Sequence, residues 1–374
     1  MNFFLYYTVP FIIVLGILIF FHELGHFLVA KISGVKVLKF ALGFGPKLVA
    51  RTFGDTEYSI RYVPLGGFVK MLGEDENDEE AKSLPPEEAK KSFENQAVLI
   101  RIAIVAAGPV FNLILAFILF SGLFLISGQR VIVPEIGQIT EGMPAHKAGL
   151  KKGDIVVAIE GKNIETWSEM KDMVQPSAGK PLRITVQRGD RLLTLTIVPQ
   201  PKVVKNMFGQ ETQTALIGIV SSGKTIKIQF GPLEATRKAT IETWKWVKLT
   251  CMVVVKLFQG VIPLKEVGGP ILIGHMAGKL AQDSFINLIP FMAIISVNLA
   301  ILNLFPIPIL DGGLIIFLLI EMVLGKPLSP KMREIAMKTG LFLLVFLMLV
   351  ITFNDLSRIK IFKDLFQYLG NFFG

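Results

Sequence analysis

His22-Glu23-Leu24-Gly25-His26 places three ionisable side chains within five positions. On a helix, residues four apart share a face. Two imidazoles so placed can hold one zinc ion at about 2.0–2.1 Å each. The glutamate between them is positioned to take a proton from a metal-activated water. Five residues can match such a pattern by chance. Here they close an apolar stretch, where ionisable side chains are expensive and functional by default. Such a site still needs a third protein ligand and an open position.

Asp311 is the best third ligand. It ends the run Asn303-Leu304-Phe305-Pro306-Ile307-Pro308-Ile309-Leu310-Asp311-Gly312-Gly313. Two prolines break a helix there, and two glycines permit tight backbone. At membrane depth, irregular backbone is tolerated only when it is buried in protein or lines a wet cavity. The plain alternative for Asp311 is a helix-ending Asp-Gly turn. His146 and His275 fall in regions expected across the membrane from the pair and read as surface or interface residues. The single cysteine, Cys251, excludes an internal disulfide and a cysteine metal cluster.

The elements that must carry these residues are membrane spans. The chain has 374 residues, 52% hydrophobic and 18% charged, below the roughly 25% charged of soluble domains. About 20 apolar residues cross a bilayer as a helix. The runs 3–30, 99–126 and 285–305 qualify, and 335–353 does so with Lys338 able to snorkel. The run 314–324 is too short alone and continues the third segment after a break. The first stretch lacks a basic leader and a small-residue cleavage site, so it reads as a retained span.

A net charge of +9 fits cytoplasmic loops rich in Lys and Arg. No nucleic-acid-binding pattern accompanies it, so no nucleic-acid partner is expected. Lys31, Lys36, Lys39, Lys47 and Arg51 follow span one; Lys326, Lys331, Arg333 and Lys338 lie between spans three and four. With four spans both loops fall on the cytoplasmic side. The termini and the region near 130–280 then face out.

Residues 35–72 read as an apolar β-hairpin beside the membrane. The acidic stretch from Gly73 reads as a solvated, flexible loop. Residues 131–200 read as a soluble α+β domain with two helical stretches. Residues 235–258, carrying Trp244 and Trp246, read as an amphipathic helix lying in the interface.

With these motifs together, the chain resembles the bacterial site-2 proteases over nearly its whole length. His22–His26 match the first motif of that family and 303–313 the second, NxxPxPxLDGG. Ala107-Gly108-Pro109-Val110-Phe111-Asn112 also matches a family pattern, and residues 43–49 with 58–74 resemble its membrane-re-entrant β segment. Residues 137–167, with Pro144-Ala145, Ala148-Gly149-Leu150 and Gly153-Asp154, resemble a PDZ domain. One such domain is seen, where the family often has two in tandem.

The resemblance implies a polytopic α-helical membrane protein of about four transmembrane helices, with a membrane-associated β-hairpin or sheet and an inserted α+β PDZ domain. The segments expected are 1–34 (first span with the histidine pair), 35–98 (β segment and acidic cytoplasmic loop), 99–128 (second span) and 129–200 (PDZ domain). They continue with 201–284 (extracytoplasmic and interfacial), 285–325 (third transmembrane segment) and 326–374 (cytoplasmic loop, fourth span and tail).

The resemblance also implies one zinc ion on His22, His26 and Asp311, with Glu23 as base. Asn298, Asn303, Pro306 and Pro308 would line the substrate side. A membrane helix resists proteolysis because its amides are bonded internally. Asparagine amides and an exposed strand edge can offer replacement partners. The alternative for the two asparagines is hydrogen bonding between helices.

The implied substrates are single-span membrane proteins in the bacterial cytoplasmic membrane, such as a pre-trimmed anti-sigma factor or signal-peptide remnants. The PDZ domain would either bind a peptide terminus or exclude bulky substrates. A catalytically silent PDZ-bearing adaptor is the alternative, and an intact Glu23 argues against it. A metal transporter would need polar positions through the depth of the bundle, which are not seen.

Overall fold

The computed structural model describes residues 2–74, 85–205 and 208–358. The core of the acidic stretch and the C-terminal tail lie outside the described residues. Two compact units emerge: Met1–Leu123 with Ala235–Gly374, and Phe124–Glu234.

The first unit is built on helices. They are α1 (Asn2–Ile32), α2 (Pro86–Ala89), α3 (Val98–Ser127), α6 (Pro232–Phe258), α7 (Pro270–Asp283), α8 (Leu288–Asn303), α9 (Asp311–Leu324) and α10 (Pro330–Arg358); α4 and α5 belong to the second unit. Four helical stretches, Tyr6–Ile32, Val98–Ser127, Phe285–Asn303 and Pro330–Arg358, are long and apolar enough to cross a membrane. They are apolar on nearly all faces, as a helix must be when lipid rather than water is its outer solvent. The third segment, 285–325, is broken at the two prolines, as the sequence implies. It breaks after Asn303 and restarts at Asp311. At 14 residues and 1.5 Å per residue, α9 spans only about 21 Å.

Small residues let these helices approach. A Cβ on Gly25 would collide with the Ala107 carbonyl, and one on Gly278 with the Tyr7 ring. Packing on small residues is the expected mode where lipid gives helices no hydrophobic reason to associate. Arg101 of α3 forms a buried bidentate ion pair with Glu321 of α9. Only Gly340 and Asp355 of α10 are buried.

The β segment comprises β1 (Val37–Phe53) and β2 (Thr56–Met71), and it is not the simple hairpin expected. Lys39 to Leu42 face Lys70 to Gly67 running antiparallel, and also Glu57 to Ile60 running in the same direction. Each strand bends back on itself, giving four segments in the order 66–71, 37–44, 56–63, 47–53. The bends need glycine: Gly43 and Gly45 have φ of 89° and 83°, a region closed to most side chains. The end of the expected flexible loop is likewise tied down. Lys36 donates its amide to the Lys91 carbonyl and Phe93 to the Leu72 carbonyl, and Phe93 is buried.

The second unit, Phe124–Glu234, is longer than the 129–200 expected for a PDZ domain. It carries β3 (Gln129–Ile132), β4 (Ile136–Ile139), α4 (Pro144–Lys147), β5 (Ile155–Ile159), β6 (Lys162–Asn163), α5 (Trp167–Val174), β7 (Leu182–Arg188) and β8 (Arg191–Ile197). It continues with β9 (Gln200–Lys205), β10 (Glu211–Leu216), β11 (Ile219–Ser221) and β12 (Thr225–Ile228). The extra strands close the fold, since β11 pairs with β4 and β12 with β3. The core gathers Ile136, Val156, Ile159, Ile184, Val186 and Ile217. Thr166 and Glu169 form a reciprocal capping box on α5. That motif satisfies two otherwise orphaned backbone donors.

Candidate active site and metal centre

The site is assembled where α1, α3, α8 and α9 meet. His22 and His26, one turn apart on α1, bring their Nε2 atoms within 3.3 Å of each other. Asp311, the first residue of α9, sets Oδ2 3.3 Å from His22 Nε2 and Oδ1 3.6 Å from His26 Nε2. A carboxylate at a helix start is favoured by the positive end of the helix dipole.

The surroundings explain the small residues nearby. A Cβ on Gly108 would clash with the His26 ring, 2.3 Å from Nε2, and lie within 2.8 Å of His22 Cε1. Cβ atoms on Gly312 and Gly313 would collide with the carbonyls of Leu304 and Ile307. The 304–310 turn therefore folds tightly over the start of α9 and fixes Asp311.

The ring of His26 is oriented by a hydrogen bond from Nδ1 to the Ile104 carbonyl, 2.9 Å. Pro109 lies inside α3. It has no N–H, so α3 loses a helical bond close to the carbonyl that receives His26. His22 Nδ1 has the side-chain amide of Asn112 at 3.3 Å. The Asn303 amide nitrogen lies 3.3 Å from His22 Nε2. Asn112 is fully buried, and its carbonyl accepts from Ser296 Oγ at 2.7 Å.

The donor set fits a metal ion. His22, His26 and Asp311 each offer one ligand atom, all within 4.8 Å of one another. A tetrahedral zinc site with bonds of about 2.0–2.1 Å has ligand atoms roughly 3.3 Å apart. Three of the separations above are close to that edge. Asp311 Oδ2 is buried and has no hydrogen-bond partner. His22 Nε2 lies 3.3 Å from it, and a buried carboxylate oxygen so placed is costly unless a cation satisfies it.

The other residues that the sequence points to are distributed as follows. Glu23 sits on α1 against the β segment, where a Cβ on Gly67 would come within 2.9 Å of Glu23 Cγ. Asn298 accepts a hydrogen bond from Thr250 of α6 at 2.7 Å, the interhelical bond weighed as its alternative. Pro308 lines a cavity of about 620 Å³ that reaches Asp311 and includes Glu74, Lys331 and Lys338. Pro306 is exposed at the turn. His275 stacks on Tyr7 with ring centroids 5.1 Å apart, and His146 is exposed on α4. Asn112, Ser296 and Ile104 are not among the site residues expected from sequence. The 107–112 motif is the one sequence signal near them.

The profile of Peptidase family M50 matches residues 10–347. A protein of Agrobacterium fabrum named as a zinc metalloprotease is 34% identical, with 94% of this chain and 96% of that protein covered. The Regulator of sigma-E protease RseP of Salmonella typhimurium is 33% identical, covering 93% of this chain and 98% of that one. That alignment runs to 447 positions, so the relative contains residues that this chain lacks. Among solved structures, the PDZ domain of an SdrC-like protein from Listeria monocytogenes is 22% identical over 23% of this chain and 84% of that chain, with a TM-score of 0.19.

Proposed function

The chain belongs to peptidase family M50 and is a membrane-embedded protease, and on that premise we propose that it is a zinc endopeptidase cutting single-span membrane proteins within or at the edge of the bilayer. The carrying observation is the cluster of His22, His26 and Asp311, with a buried carboxylate oxygen turned toward the two imidazoles. These three residues hold one zinc ion in this reading. When bound, zinc supplies Lewis-acid polarisation of a carbonyl and lowers the pKa of water toward about 7.

The chain's own residues do the rest. Glu23 takes the proton from the attacking water and delivers it to the leaving amine, as a general base and then acid. The Asn303 amide at the cluster offers a donor to a substrate carbonyl. Strand segment 66–71, running past Glu23 at Gly67, gives an unwound substrate an edge to pair with. Pro308 shapes the wall of the cavity below Asp311.

The membrane side follows from charge. Lys331 and Lys338 share one cavity with Asp311, so the basic loop and the site lie at one end of the first unit. By the positive-inside rule that end is cytoplasmic, in a bacterial inner membrane. The PDZ-like unit and both termini are then extracytoplasmic. In that unit a groove of about 390 Å³ lies between α5 and β11, lined by Trp167, Met170, Lys171 and Ile219. Its shape suits an extended chain terminus added beside β11.

The test pairs metal analysis with cleavage. Wild type and Glu23→Gln are purified in detergent, and each is assayed for zinc and incubated with a single-span substrate. About one zinc in both, with cleavage only by the wild type, is the expected result. A wild type that binds no zinc when supplied with it would sink the reading.

A further inference from the structure

His22 can donate its Nε2 lone pair to a metal only if the proton of its neutral ring sits on Nδ1. For His26 the structure supplies the partner that fixes this form, because the Ile104 carbonyl can only accept. For His22 the groups near Nδ1 are the side-chain amides of Asn112, at 3.3 Å, and Asn303, at 3.5 Å. The Asn303 amide nitrogen lies closer to Nε2, at 3.3 Å, on the side of the ligand cluster.

Asn112 is the better partner, on three observations. It is fully buried, so water cannot substitute for it. Its Oδ1 as placed has no hydrogen-bond partner, so no other contact holds the oxygen away from His22. Its backbone is pinned by Ser296 of α8 at 2.7 Å, so the side chain has little room to turn elsewhere. A half-turn of the carboxamide exchanges its oxygen and nitrogen without changing its shape. The oxygen then faces Nδ1–H of His22 and receives its proton, leaving Nε2 open toward His26 and Asp311.

We propose that Asn112 is a positioning residue that accepts the Nδ1–H of His22 and so fixes the tautomer and ring plane of this ligand. It does for His22 what the Ile104 carbonyl does for His26. The assignment rests on the metal reading above and deepens it. Outer partners of this kind typically govern metal affinity by about 10–100-fold.

The experiment measures zinc affinity by chelator competition on the full chain in detergent, for wild type, Asn112→Leu and Asn112→Asp, with thermal unfolding of each metal-free protein alongside. Asn112→Leu keeps the volume and removes the acceptor; Asn112→Asp keeps the acceptor. The expected result is affinity weakened about 10–100-fold in Asn112→Leu and largely restored in Asn112→Asp. Equal affinity in Asn112→Leu and wild type overturns the proposal. So does an Asn112→Asp variant that folds but binds as weakly as Asn112→Leu, because the amide donor would then be what matters.

A second measurement needs no variant at position 112. Ring ¹⁵N shifts of the metal-free wild type, with His22 assigned through His22→Gln, read the tautomer directly. The Nδ1–H form is expected; the Nε2–H form overturns the proposal. A wild type that binds no zinc removes the metal reading itself, an outcome distinct from any difference among the variants.

Discussion

At the scale of single residues, the site depends as much on what is missing as on what is present. Gly108 leaves room for the two imidazoles, since a Cβ there would come within 2.3 Å of His26 Nε2. Gly108→Ala must push α3 away from α1 or turn His26 off the Ile104 carbonyl. Overpacking of this kind costs roughly 1–3 kcal/mol, and zinc affinity should fall at least about tenfold. Gly122, on the same helix, has open space where an added Cβ would lie, with nothing within 4 Å, and is the control. Gly122→Ala should leave zinc binding unchanged and stabilise the helix by about 0.5–1 kcal/mol. Chelator competition on both variants checks this, and equal effects would refute the steric argument. The histidine pair and Asp311 were legible in the sequence because spacing and apolar context are local signals. Asn112 falls inside the 107–112 motif but its role, like that of Ser296, was not legible, because it comes from contacts with residues 90 and 184 positions away.

At the scale of elements, the departure from the sequence reading in the β segment has a plain cause. Alternating apolar residues announce strands but not where a strand folds back, so 37–71 read as a hairpin rather than four segments. The break between α8 and α9 was legible, by contrast, because the Pro-x-Pro run marks it directly. A mixed case is α10, whose span was plain in the sequence but whose attachment was not. It is fastened where Asp355 accepts hydrogen bonds from the Gly269 amide at 3.0 and 3.1 Å and the Leu272 amide at 3.0 Å. A carboxylate from another helix thus caps α7, meeting both its orphan amides and its dipole. Asp355→Ala would strand two buried donors at about 1–3 kcal/mol each. The expected outcome is a Tm several degrees lower in detergent and faster hydrogen exchange along α10, with zinc content retained. Asp355→Asn, which keeps one acceptor, should fall between. Unchanged exchange in Asp355→Ala would show that α10 is held by other means.

At the scale of the whole molecule, two units with different solvents answer to different variables. The first takes its stability from helix packing in lipid, while Phe124–Glu234 has an apolar core of its own and depends on charge as well. Asp154, from the Gly-Asp pair of the PDZ-like motif, has a side chain only 1% exposed and meets Arg188 Nη2 at 2.7 Å. It also accepts from the Lys151 amide at 2.8 Å. Burial pushes its carboxyl up, but the Arg188 hydrogen bonds, the Lys151 amide and the two positive charges outweigh this and hold it below the usual carboxylate range. A folded pKa below the unfolded one, about 3.9, adds stability that is fully present above that value and lost as pH falls through the folded pKa. The second unit should therefore lose stability below about pH 4. Asp154→Asn should be weaker at neutral pH by about 1.5–3 kcal/mol and less sensitive to acid. Trp167 is the one tryptophan of this unit, the other two of the chain's three being Trp244 and Trp246. In a Trp244→Phe, Trp246→Phe background its fluorescence follows the second unit alone. Parallel pH–stability curves with and without Asp154→Asn in that background would mean that this ion pair contributes nothing to the acid response. Converging curves at low pH, with the first unit still retaining its helical signal, would locate the acid response in the Asp154–Arg188 pair and show that the two units unfold separately.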